Sequence, residues 1–142
     1  MKRINQLSVF LENKSGRLNE ILDIIGQHDI EIIAASVADT SEYGILRMIT
    51  SNTKKALEVL KQAHVSANIS EVIAIRCDNN ASAFSNELKK LSNESICIEY
   101  MYSFSCGGQS TLILRTNNNA LAIETASKYS VNTLTQDQLY QL

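Results

Sequence analysis

The sequence predicts an α+β chain made of two copies of one βαββαβ unit, and three observations lead to this prediction. The chain has 142 residues, which suits one ordinary domain or two small ones. Hydrophobic residues make up 44% and charged residues 20%, as in a globular protein, which excludes disorder, collagen and coiled coil. Shifting the sequence by 66 positions aligns its two halves without a gap.

The repeat keeps apolar character at equivalent positions, although few residues are identical. Leu22 falls on Leu88, and Val65 falls on Val131. Each half follows the order βαββαβ, the split βαβ or ferredoxin-like arrangement, with a four-stranded antiparallel sheet and two helices on one face. We therefore predict one domain over residues 1–70 and a second over residues 71–142, which ends in a short C-terminal helix.

The first elements of the first unit follow from hydrophobic periodicity. Apolar residues alternate with polar ones over residues 7–11, as in a half-buried strand. Ser15 is a candidate cap for the helix that follows. One apolar face of that helix has the spacing i, i+3, i+4, i+7, and its members are Leu18, Ile21, Leu22 and Ile25.

The rest of the first unit contains three strands and a second helix. Residues 30–37 are apolar on both faces and predict a second strand, and residues 45–50 predict a third. Ser51 or Asn52 is a candidate cap for the second helix. A short fourth strand is predicted over residues 65–70.

The second unit repeats this order from residue 71 to residue 134. Its helices are predicted at residues 81–92 and 119–129. Thr135 and Gln138 have the spacing of a capping box, which predicts the short C-terminal helix. Leu139 and Leu142 are expected to pack that helix down.

Charge and composition argue against several classes of partner. The net charge is −2 and no basic run exceeds two residues, so we expect no nucleic-acid partner. Residues 100–114 form the longest stretch without a charge, but polar residues interrupt it, so we expect no membrane span. The N-terminal residues contain no apolar secretory core, and a cytoplasmic location is expected. The cysteines, 20 and 9 positions apart, match no zinc or redox motif and are expected to be free thiols: Cys77, Cys97 and Cys106.

The sequence contains no recognisable catalytic constellation. His28 and His64 stand near predicted helix C-termini, where a partly positive imidazole is favourable. Glu12 and Asp78 are equivalent carboxylates that follow the first strand of each unit, and solvation of a loop is the simpler role for both. We therefore expect a protein that is not an enzyme and that needs neither a cofactor nor a metal.

The loop after the first strand is more informative. Gly16 stands where a helix begins, so backbone N–H groups there can approach a ligand closely. The N-terminus of a helix also favours a carboxylate. Lys14 and Arg17 are candidate anion-holding side chains beside it, although a turn role for Gly16 and solvent exposure of both cations remain alternatives.

Residues 7–18, read as LSVFLENKSGRL, together with Ile21-Leu22 and the segment His28-Asp29-Ile30-Glu31-Ile32, resemble an ACT domain. The resemblance extends to both halves, so the chain resembles a free-standing tandem ACT protein. It implies a regulatory protein that binds a small amino acid where two ACT modules meet, and it implies a homodimer.

The resemblance also implies a set of ligand-binding residues. They come from the loop, the start of the second strand and the loop of the second unit: Asn13, Lys14, Ser15, Gly16, Arg17, Leu18, Glu31 and Asn79. Asn13 matches an Asn of serine-sensing members, while Glu31 replaces their strand Asn and Leu11 their His, so specificity for serine is not implied. In the second unit Ser82 replaces the glycine and Cys97 replaces the glutamate, so we expect the first unit to carry the better site.

Two functions are left open by the sequence. The first is a non-enzymatic regulator that binds an amino acid. The second is a regulatory subunit that docks on a partner metabolic enzyme without binding a ligand itself, because some biosynthetic enzymes have small ACT subunits. A small enzyme on the same fold is a third class, but the missing catalytic constellation argues against it.

Overall fold

The computed structural model describes residues 2–12, 14–39, 42–92 and 95–142. Contacts within the chain divide it into two compact units. The first unit is Asn5–Ser70, and the second is Glu71–Leu142 together with residues 2–4. Each unit has its own apolar core, and each has the ferredoxin-like arrangement that the repeat predicts.

The first unit follows the order βαββαβ. Its elements are β1 (Ile4–Glu12), α1 (Arg17–Gly26), β2 (Ile32–Asp39), β3 (Tyr43–Thr50), α2 (Thr53–Gln62) and the beginning of β4 (Ala67–Asp78). The strands lie in the order β2-β3-β1-β4, and β3 is antiparallel to both β1 and β2. The Phe10 N–H donates to the Ser66 carbonyl at 3.0 Å, next to the start of β4.

Strand alternation separates the two faces of the first unit's sheet. Leu7 and Val9 of β1 are fully buried and belong to the core that α1 and α2 cover. Ser8 and Phe10 therefore point to the opposite face. Burying one face under two amphipathic helices is the main stabilising term here, because each fully buried large aliphatic side chain contributes about 1.5–3 kcal/mol.

The second unit uses the remainder of β4. Its other elements are α3 (Ala81–Ser92), β5 (Ile98–Cys106), β6 (Gln109–Thr116), α4 (Asn119–Lys128) and α5 (Gln136–Tyr140). β6 pairs antiparallel with both β4 and β5. The fourth strand is reduced to one bridge between Thr133 and Ile75, which is flanked by backbone hydrogen bonds of 2.9 Å from Arg76 to Asn132 and from Leu134 to Ala74.

Three predictions about helix ends have different outcomes. Asn52 caps α2, since its Oδ1 accepts from the Lys55 N–H at 3.1 Å. Ser15 does not cap α1: Gly16 holds the cap position and no side chain bonds to it. Thr135 and Gln138 form the predicted capping box of α5, but only Leu139 is buried, whereas Leu142 is 44% exposed and does not pack down.

A polar pair at the start of α4 has a different counterpart in the first unit. In the second unit the Thr116 hydroxyl donates to Asn119 Oδ1 at 2.9 Å. The equivalent residues are Thr50 and Thr53, whose buried hydroxyls have no partner among the described residues. The Thr53 side chain is one atom shorter than that of Asn119 and has no amide oxygen. It therefore does not pair with the Thr50 hydroxyl as Asn119 pairs with Thr116.

The three cysteines are free thiols. Cys77 is buried, while Cys97 and Cys106 are exposed. Burial raises the pKa of the Cys77 thiol above 9.0, and the negative charges of Glu87 and Asp78 add to this rise. Across the described ranges, no helix is long and apolar enough to cross a membrane.

Candidate functional site

The loop between β1 and α1 is a tight turn held by its own backbone. The Lys14 N–H donates to the Glu12 carbonyl at 2.8 Å, and the Arg17 N–H donates to the Lys14 carbonyl at 3.2 Å. Asn13 lies outside the described residues. Lys14 and Ser15 are exposed, so their side chains are accessible beside the first turn of the helix.

Gly16 has a left-handed backbone with φ +79°. A side chain in this conformation is strained, which is why glycine stands here. A Cβ added at Gly16 would meet no atom within 4 Å, so no neighbour within the structure explains the missing side chain. The glycine therefore makes the turn, and the space beside it at the N-terminal end of α1 is open.

Arg17 begins α1, directly after Gly16. Its side chain is 18% exposed, and Nη1 donates to the Glu20 carboxylate at 3.0 Å. The Nε atom is buried and has no partner among the described residues. Leu18 packs against the core of the first unit and anchors the start of the helix. The loop thus presents a cation and a helix N-terminus together, an arrangement suited to a carboxylate.

Glu31 lies at the opposite end of the sheet from this loop. It immediately precedes β2, and its N–H donates to Ser51 Oγ at 2.9 Å while its carbonyl accepts from the Ser51 N–H. On β3, Gly44 is paired with Leu11 of β1, and Thr50 is paired with Ile32 of β2. Six residues of strand separate these two points, which is about 20 Å. Within one unit, Glu31 and the loop therefore do not form a common site.

The loop of the second unit is built differently. Asn79 accepts from the Ser110 hydroxyl at 2.6 Å, so its amide oxygen ties the loop to β6. Asn80 caps α3, since its Oδ1 accepts from the Ala83 N–H at 2.8 Å. Ser82 consequently lies inside the first turn of α3, with no glycine turn before it. This loop lacks the open, left-handed entry that Gly16 provides in the first unit.

Two features on the other face of the sheet were absent from the sequence predictions. In the first unit, Phe10 stacks on Tyr43 with ring centroids 4.8 Å apart, and both rings are substantially exposed. In the second unit, Arg76 makes three hydrogen bonds, to Gln109, Thr111 and the Cys106 carbonyl. The 66-position register aligns Phe10 with Arg76 and Tyr43 with Gln109. Comparing the aligned halves could therefore have shown that an aromatic pair in the first unit is replaced by a polar pair in the second.

Nothing in the described ranges resembles a metal centre, since no three His, Cys, Asp or Glu side chains there are close enough to hold an ion. His28 and His64 follow the C-termini of α1 and α2, and His64 has a left-handed backbone with φ +62°.

Two consecutive ferredoxin-like units, each with its own apolar core, define the class of protein as a tandem of small α+β domains. A family profile described as an ACT domain pair matches residues 2–142. The chain therefore belongs to the ACT domain pair family.

Solved structures show the same architecture. The chain is similar to protein BT0572 from Bacteroides thetaiotaomicron, with 38% identity, a TM-score of 0.94, and coverage of 99% of this chain and 98% of that one. It also shares its fold with the ligand-free regulatory subunit of aspartate kinase from Thermus thermophilus, with 11% identity, a TM-score of 0.63, and coverage of 87% and 91%. The regulatory subunit of aspartate kinase from Thermus flavus is similar in the same way, with 12% identity, a TM-score of 0.62, and coverage of 90% of this chain and 92% of that one. No curated protein matches the sequence.

Proposed function

We propose that the protein is a non-enzymatic regulator that binds a small amino acid at the β1–α1 loop of its first unit. The observation that carries the proposal is Gly16, which leaves open space over the N-terminus of α1. Arg17 follows Gly16 at the first position of α1, and its buried Nε has no hydrogen-bond partner among the described residues. A carboxylate there gains the guanidinium charge and, apart from the Arg17 N–H that donates to the Lys14 carbonyl, the N–H groups of the first turn.

The position of Glu31 supports a site shared between two copies of the chain. Because the loop and Glu31 lie at opposite ends of one sheet, antiparallel pairing of the β2 edges of two copies about a two-fold axis would put one copy's loop at the same end of the joined sheet as the other copy's Glu31. There the carboxylate is placed to accept from the ligand's ammonium group. β2 is the outer strand of the first unit and exposes Ile32 and Val37 by 43% and 51%. Residues 32–38 of this strand contain neither Pro nor a charge, so its edge is suited to pairing.

The experiment that tests this function is a thermal-shift screen with the twenty amino acids, followed by calorimetry on each hit. A ligand that binds only the folded state adds about 2.7 kcal/mol at a hundredfold excess over Kd. We expect a selective shift that Arg17→Gln reduces strongly, because this variant keeps the aliphatic stem and removes the charge. Ser82→Val in the second unit is the control and leaves the shift unchanged.

The oligomeric state is measured in the same series by sedimentation. A dimer that tightens with the ligand supports the shared site, whereas a ligand-bound monomer at micromolar concentration contradicts it. A flat amino-acid panel contradicts ligand binding and favours the second function, a subunit that docks on a metabolic enzyme in the cytoplasm. For that function the outer strand β5 of the second unit is the specific support, since it exposes Ile98 and Met101.

A further inference from the structure

We draw no further inference here: the strongest candidate, the apolar groove that Leu88, Ile96 and Ile98 line between α3 and the outer strand β5 of the second unit, is an open surface, and nothing in the described part of the structure shows what covers it.

Discussion

Replacing glycine by alanine at Gly16 and at Gly26 tests the backbone strain at the entry to the candidate site. Both positions leave a new Cβ in open space, with no atom within 4 Å. They differ in backbone conformation, since Gly16 has φ +79° and Gly26 is the last residue of α1. The same chemical change is therefore made at two ends of one helix with different conformational consequences.

The expected effects have opposite signs. Alanine restricts the unfolded chain at either position, which favours folding by about 0.4–1 kcal/mol. At Gly16 the left-handed backbone adds a strain of about 1–2 kcal/mol, so Gly16→Ala destabilises by roughly 1 kcal/mol. At Gly26 the helical backbone accepts alanine, and Gly26→Ala stabilises by about 0.5–1 kcal/mol.

The assay is urea unfolding followed by circular dichroism, with the denaturant dependence of the free energy checked for each variant. The reasoning fails if Gly16→Ala is as stable as the wild type or if Gly26→Ala loses as much stability as Gly16→Ala. The first result means that the turn does not need a left-handed residue. The second means that packing, rather than backbone conformation, governs both glycines.

Four further predictions follow from particular contacts and backbone angles. Thr53→Asn places in the first unit the amide that pairs with threonine in the second, and it is expected to raise the free energy of unfolding by about 1 kcal/mol, measured by urea unfolding; a loss of stability contradicts this. Ser130→Gly relieves a left-handed residue with φ +58° and is expected to raise the melting temperature, with an unchanged value refuting the strain. Because the raised pKa keeps Cys77 protonated, iodoacetamide at pH 8 is expected to modify Cys97 and Cys106 first, as read by mass spectrometry. The thiol of Cys77 has a higher pKa in the folded chain than in the unfolded chain, so the unfolded chain loses this proton first as the pH rises. Ionisation of Cys77 is therefore expected to lower the free energy of unfolding only above about pH 9, and a loss from this thiol near neutral pH would contradict its burial.

Much of the fold could be predicted from the sequence, because the spacing of apolar residues depends only on residues that are close together in the chain. Residues 7–11 alternate, and the structure has β1 there. The 66-position repeat then transfers this assignment to the second half, where α3 and α4 lie at the predicted places to within one residue. Hydrophobic periodicity involves only residues that are near in sequence, so strands and helices can be predicted from it without knowledge of tertiary contacts.

Loop geometry was harder to predict, because several residues can satisfy the same backbone groups. Ser15 has a suitable side chain for a cap, yet the chain turns through Gly16. Asn79 was expected to bind a ligand by its equivalence to Asn13, and the structure places its amide oxygen on Ser110. That contact joins positions 31 residues apart, which no local pattern indicates.

The sequence alone determined the two-unit α+β organisation, the elements of each unit, and the ACT resemblance that the family match supports. Those features depend on hydrophobic period and on a motif of adjacent residues. Only the tertiary structure decided that Glu31 lies at the far end of the sheet from the loop and that Phe10 stacks on Tyr43. Strand register sets both arrangements, because it brings together side chains that are distant along the chain.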